Sequence, residues 1–258
     1  MIRKGTDFFK YQSKNRLVMD NELKQINFLD SRVYKRDEDR YYPSVTTILQ
    51  HMPKNRFFEN WLKEVGYNAD IILKKAGREG TAVHDGIEKL LNGEKLEWID
   101  NYGNAAYNEN VWGMILKFKE FWEMVDPELI AVEKFVYSDK YEYAGTADLV
   151  CKIKGKVWLI DFKTSNSLHR SYNLQLASYA KAWEEIHDQK IDRTGILWLK
   201  AHTRTSNKKK IQGKGWQLKQ IDDIDKNFEL FQMIYKLYKL DNPKIQPIYK
   251  QYPTEIKL

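Results

Sequence analysis

Two acid-ended runs separated by a two-residue turn constrain this chain more than any other feature. Gly145-Thr146-Ala147-Asp148 begins a strand, Tyr143–Ile153, in which Ala147, Leu149, Cys151 and Ile153 alternate with Thr146, Asp148, Val150 and Lys152. A second strand over residues 157–163 stays apolar until Asp161, as a strand buried on both faces does. A two-residue hairpin loop at Lys154-Gly155 sets Ile153 opposite Lys156. Asp148 then lies across from Asp161, both side chains on one face, with Cβ atoms about 4.5–5.5 Å apart. Lys163, two residues on, shares that face.

Opposed carboxylates at the end of a buried strand repel and are poorly solvated unless a cation lies between them. Hard divalent ions such as Mg²⁺ take one or two carboxylates, with water and substrate phosphate completing the shell. The adjacent lysine can orient or deprotonate an attacking water, or offset charge growing on a phosphate. An isolated D-x-K tripeptide reads as a solvated strand end. Acid, acid and lysine on one face, beside a glycine that permits close approach, point to hydrolytic chemistry. Loop length carries the argument, because one extra residue shifts the register.

These runs resemble a known family. Gly145-Thr146-Ala147-Asp148, Ile160-Asp161-Phe162-Lys163 and Gln175-Leu176-Ala177-Ser178-Tyr179 match G-x-x-D, D-x-K and Q-x-x-x-Y of the RecB-like branch of the PD-(D/E)XK nucleases. Upstream, Gly80-Thr81-Ala82-Val83-His84 resembles that branch's helix histidine. Tyr42-Pro43-Ser44-Val45-Thr46-Thr47-Ile48-Leu49 resembles the opening of the mitochondrial genome maintenance exonuclease type and its phage relatives. The five motifs run in the family's order from about residue 40 to 185, and Ala147 stands where the family name has proline. The resemblance implies an α/β (α+β mixed) restriction-endonuclease-like core: a mixed central β-sheet flanked by helices, with an N-terminal helical elaboration. It also implies one or two Mg²⁺ or Mn²⁺ ions on His84, Asp148, Asp161 and the main-chain carbonyl of Phe162, with Lys163 positioning the attacking water. Asp148, Asp161 and Lys163 are then the catalytic set. Imidazole suits Mn²⁺ better than Mg²⁺, so both metals are expected to support activity.

Other residues are weighed beside that set. A histidine at the edge of the Val83, Ile87, Leu90, Leu91 stripe is by itself a packed or solvated side chain, and the resemblance makes His84 a ligand. Glu88, one turn on, is a candidate to orient the imidazole. Glu133 faces either the metal cluster or outward. Gln175 and Tyr179 lie on one helix stripe with Leu168, Tyr172 and Trp183, where a buried amide must find partners. The resemblance places Gln175 beside the lysine and Tyr179 near the nucleic acid. Thr164 and Ser165 are candidate phosphate contacts or turn residues.

Composition agrees with a nucleic-acid enzyme. The 258 residues carry 43 Lys and Arg against 36 Asp and Glu, a net +7 that suits a polyanion. With 16 Tyr, 11 Phe and 8 Trp the chain has ample apolar mass to fold. A single cysteine, Cys151, leaves no disulfide framework, and the four-cysteine iron–sulfur cluster of some superfamily members is not expected. No apolar run approaches the ~18–20 residues of a membrane span, and no signal or transit peptide is evident. An intracellular, cytoplasmic setting in a bacterial or phage-infected cell is therefore expected, with DNA as partner.

A single nuclease domain over residues 1–258 is expected, with an elaboration at 1–80, a core at 81–221 and a C-terminal helix and tail at 222–258. Strands are expected near 32–35, 131–137, 196–202 and 215–221 besides the hairpin. Helices are expected over 57–66, 68–75, 81–91, 110–124, 170–186 and 222–240, with Thr46 or Thr47 capping a short helix to Leu49 and Thr81 capping the fourth. The basic run Arg204, Lys208, Lys209, Lys210, Lys214 reads as a backbone grip or a solvated tip. Tyr41, Tyr42, Phe57, Phe58 and Trp61, near Lys54 and Arg56, mix rings and cations as single-strand binders do, or fill a core. The favoured activity is exonuclease action on single-stranded DNA, leaving 5′-phosphates, in replication, repair or recombination. A structure-dependent or double-strand-processing nuclease shares the same site, and a non-catalytic DNA-binding protein retaining the fold is the alternative from another class.

Overall fold

In this computed structural model the described residues are 23–28, 31–54, 56–199, 215–244, 253 and 255–257. The basic run between residues 200 and 214 lies outside them.

Alternation of apolar residues builds the centre. Strands β4 (Glu128–Ser138), β5 (Tyr143–Ile153), β6 (Lys156–Lys163), β7 (Arg193–Trp198) and β8 (Gln217–Ile221) form one sheet in that order. It is mixed, because β6 and β7 pair in parallel while the other neighbours run antiparallel. Successive side chains of each central strand enter opposite cores, as the pleat requires. Val150, Leu159 and Ile196 join one core with α1 (Val45–Leu49), α5 (Arg170–His187) and α6 (Ile224–Asp241). Their neighbours Leu149, Cys151, Ile160, Phe162 and Leu197 join the other, with α3 (Ala69–Leu91) and α4 (Glu109–Val125). The result is the mixed α/β sandwich expected, a sheet flanked by helices. Among the described residues no helix is long and apolar enough to cross a membrane.

The β5–β6 turn has two residues, as read from the sequence. Lys154 (φ 47°) and Gly155 (φ 76°) both take left-handed conformations, the pattern of a type I′ hairpin turn. Register follows, with Ile153 opposite Lys156 and Leu149 opposite Ile160.

Several expectations are corrected. The elaboration is not helical alone: β1 (Lys24–Phe28), β2 (Ser31–Lys35) and β3 (Tyr41–Pro43) form a separate antiparallel sheet. It docks on the main sheet through Tyr34, whose hydroxyl is 3.1 Å from Thr146 Oγ1. Tyr41 and Tyr42 are buried there and offer no stacking surface, whereas Phe57 on α2 (Arg56–Val65) is exposed. Ser44, not Thr46 or Thr47, caps α1, its hydroxyl accepting from Thr47 N at 2.9 Å, because the helix starts at Val45, ahead of both threonines. The helices expected over 68–75 and 81–91 are one, so Thr81 caps nothing. Glycine costs a helix about 1 kcal/mol, yet Gly86 of α3 serves packing: a Cβ there would lie 2.7 Å from Ile115 Cδ1 of α4. Strand β4 begins at Glu128, three residues early, and β7 begins at Arg193 because its ladder with β6 reaches back to Trp158.

Phe118 of α4 joins this core to the acid-bearing strand, its ring edge-on to Phe162 at 5.5 Å. Phe118→Ala removes a fully buried ring and is expected to cost about 3–5 kcal/mol of unfolding free energy, measured by urea titration followed by circular dichroism.

Candidate active site

At the acids β5 and β6 part, while Asp161 stays paired with Ile196 of β7. The β5–β6 ladder ends at Leu149↔Ile160, one step short of Asp148 and Asp161. In place of a facing ladder pair, Asp148 turns its carboxylate on the neighbouring backbone and accepts from Phe162 N at 2.7 Å. On the other side, β4–β5 pairing runs through Val132↔Leu149 and Lys134↔Ala147 but skips Glu133 and Asp148. Glu133 has φ 45°, a left-handed conformation inside a strand. Such a residue costs on the order of 1–3 kcal/mol and persists where its surroundings over-determine it.

The released side chains converge with His84 of α3. His84 Nδ1 is 3.1 Å from Glu133 Oε1 and 3.7 Å from Asp148 Oδ2, and Nε2 is 3.3 Å from the Phe162 carbonyl oxygen. The ligand atoms of His84, Glu133 and Asp148 all lie within 4.8 Å of one another. Glu133, not Glu88, therefore orients the imidazole, and it stands level with the expected ligands. Burial works against a charge on His84, but Asp148 and Glu133 outweigh it and raise the imidazole to about 9. With both nitrogens protonated, the ring can donate to Glu133 on one side and to the Phe162 carbonyl on the other. One imidazole, two carboxylates and a carbonyl oxygen fit Mn²⁺ or Mg²⁺, so the residues present suit the cation expected.

Asp161 belongs to a second group. Its Oδ2 is 2.5 Å from Lys163 Nζ, and its Oδ1 accepts from Gln175 Nε2 at 3.0 Å. Gln175 Oε1 in turn lies 3.5 Å from Lys163 Nζ, which answers where a buried amide on α5 finds its partners. Only 1% of Asp161 is exposed, and that burial, with Asp148 nearby and Lys163 opposing, pushes its carboxyl up to about 6. Burial likewise raises Asp148 against the pull of His84. Lys163 is held above the ordinary lysine value, its burial outweighed by Asp161 and Asp148.

The remaining candidates divide. Tyr179 is buried, its hydroxyl 3.3 Å from Gln175 Nε2 and its ring on Gly145, and it presents no free surface to a nucleic acid. Thr164 Oγ1 lies beside Gly80 of α3, where an added Cβ would meet it at 3.3 Å. Ser165 Oγ donates to Ser167 O at 2.8 Å and accepts from Tyr172 at 3.3 Å, the arrangement of a turn. Sequence reading underweighted Glu133 because its backbone conformation has no sequence signature. It missed the contact between Tyr172 and Lys163 because Tyr172 reads as one more ring on a core stripe.

The glycine of G-x-x-D has a packing cause: a Cβ at Gly145 would fall 2.3 Å from Tyr179 Cε1. Gly145→Ala is expected to destabilise by about 1–3 kcal/mol through overpacking. Combining it with Tyr179→Leu should recover part of that loss, so thermal melts of the two single variants and the double variant should be non-additive.

The sequence model of the PD-(D/E)XK nuclease superfamily matches residues 60–250. No curated protein matches the chain. Among solved structures, one described as "Putative exonuclease" from Eubacterium rectale is similar at 13% identity, covering 71% of this chain and 76% of its own, with a TM-score of 0.40. Another, designated SSO0001, has 14% identity over 61% of this chain and 85% of its own, with a TM-score of 0.28. The family match spans most of the chain and takes in every motif from His84 to Tyr179, so the protein belongs to the PD-(D/E)XK nuclease superfamily.

Proposed function

We propose that this chain is a single-domain, metal-dependent deoxyribonuclease of the RecB-like branch, acting as an exonuclease on single-stranded DNA and leaving 5′-phosphates. The observation that carries this reading is the meeting of His84, Glu133 and Asp148 within 4.8 Å, beside a buried Asp161–Lys163 pair. A bound Mg²⁺ or Mn²⁺ would supply Lewis acidity toward a phosphodiester and its departing oxygen. His84, Asp148 and the Phe162 carbonyl would hold it, with Glu133 as ligand or as the carboxylate that fixes the imidazole. Asp161 keeps Lys163 charged and in place, and its carboxylate would be the further ligand available to the ion. Lys163 then orients the attacking water or neutralises charge on the phosphate. Gln175 fixes Asp161 by donating from Nε2 to its carboxylate. A net +7 chain and the superfamily's chemistry support DNA as substrate. Replication, repair or recombination is the proposed setting.

The test is a time course on 5′-labelled single-stranded DNA with Mg²⁺, Mn²⁺ or EDTA, beside a blunt duplex and a single-stranded circle. Degradation is expected with either metal and none with EDTA, while the circle survives. Lys163→Ala is expected to lose about 10²–10⁴-fold in rate, the span of positioned acid–base groups. Cutting that persists in EDTA, or in Lys163→Ala at the native rate, would refute the assignment.

The pH dependence of metal binding follows from His84. The ring must lose a proton to become a ligand, and Asp148 and Glu133 hold that proton up to about 9. Metal affinity should therefore rise with pH between 7 and 9, by up to about tenfold per unit from this one proton. Titration calorimetry with Mn²⁺ in buffers of different ionisation enthalpy should register proton release at pH 7 that fades above pH 9. In His84→Ala that release should disappear.

A further inference from the structure

Among the described residues, Lys163 Nζ lies against Asp161 and Gln175, which the sequence motifs account for, and against a further side chain. That side chain is Tyr172 of α5, whose ring centre lies 4.5 Å from the ammonium. We propose that Tyr172 is a positioning residue for Lys163: its ring face holds the ammonium over the site when Asp161 is drawn elsewhere. This rests on the reading of Lys163 as catalytic.

Asp161 and Gln175 are bonded to each other at 3.0 Å, so they act on Lys163 as one unit. Whatever redirects the Asp161 carboxylate loosens both contacts at once. The ring is independent of them. It attracts the cation without neutralising it and offers no basic atom to take its proton, so the lysine keeps its place and its charge. The Lys163 side chain is only 16% exposed, the partly desolvated setting in which a ring holds a cation best.

Tyr172 is itself fixed from two sides. Its hydroxyl donates to Ser165 Oγ at 3.3 Å, and His169 packs edge-on at 5.4 Å. Trp198 Nε1 donates to Ser165 O at 2.7 Å and ties the same loop to the strand beside Lys163. The hydroxyl thus braces the loop, while the ring faces the lysine. Two substitutions separate these roles.

The experiment compares Tyr172→Phe and Tyr172→Leu in kcat and KM on a single-stranded oligonucleotide at saturating Mn²⁺, with oligonucleotide binding in Ca²⁺ alongside. Tyr172→Leu is expected to lower kcat about tenfold and to leave KM and binding unchanged. Tyr172→Phe, which keeps the ring, should retain the native kcat. In a Lys163→Ala background, Tyr172→Leu should have no further effect. A native kcat in Tyr172→Leu would overturn the proposal. So would an equal loss in Tyr172→Phe, which would assign the effect to the loop brace, or an undiminished effect in Lys163→Ala. If Lys163→Ala alone is fully active, the catalytic reading of the lysine fails and this inference with it. If Lys163→Ala is impaired while Tyr172→Leu is not, only the inference falls. Should Tyr172→Leu melt too low to assay, Tyr172→Met makes the same comparison.

Discussion

Everything in this site depends on a sheet that stops pairing at Asp148. Its neighbours Ala147 and Leu149 are laddered to β4, and Leu149 to β6, but Asp148 is paired to neither strand. Its carboxylate does the work of a strand carbonyl by accepting the Phe162 N–H. Two consequences follow at once. The Phe162 carbonyl is left facing His84, and the opposite residue of β4, Glu133, can leave the pleat for a left-handed conformation that aims it at the same imidazole. A continuous ladder would spend these backbone groups on strand pairing and send alternate side chains into the two cores. The break turns a structural sheet into a set of converging polar atoms, and the strain at Glu133 is part of its cost.

The electrostatics make sense as one cluster. Three carboxylates, on Glu133, Asp148 and Asp161, meet two cationic side chains, His84 and Lys163. Burial, with like-charge repulsion, raises both aspartates, and the same carboxylates raise His84 and Lys163 against their own burial. The imidazolium thus stands among acceptors that would otherwise serve a cation. A divalent ion held there in place of that proton would bring the local charge to neutrality, with Lys163 still positive. The two aspartates, one turned toward His84 and one toward Lys163, are alike in type and separated in task by what surrounds them.

Local rules made the β5–β6 hairpin legible. A two-residue turn fixes register, and register brings Asp148, Asp161 and Lys163 to one end of the sheet. Gln175 was legible as a polar oddity on an apolar stripe, and its partners proved to be Asp161 and Lys163. What stayed hidden depends on distant chain. The division of Asp148 from Asp161 needs β6 to leave β5 for its parallel neighbour β7, a pairing no local pattern encodes. Strand β1, the mixed sequence KQINF, has little apolar alternation and is made a strand by β2. The continuity of α3 was masked by Gly77, Gly80 and a threonine, which mimic a helix boundary when propensity is read without tertiary packing.

The glycines of two motifs share one explanation, and it is not backbone freedom. Gly80 and Gly145 both lie under a neighbouring element: a Cβ on the first would press on the Thr164 hydroxyl at 3.3 Å, and the Tyr179 ring leaves no room for one on the second. Gly80 stands one turn before His84 on the same face of α3, so the close approach that it permits is also what brings the imidazole to the Phe162 carbonyl. Gly145 lets α5 settle against β5, and that seat is what carries Gln175 to Asp161 and Tyr172 to Lys163. The sheet is thereby gripped from both faces at the point where its own pairing fails. A helix seated on each side takes over from the missing ladder bonds in holding His84, Glu133 and Asp148 together where the strand pairing is broken.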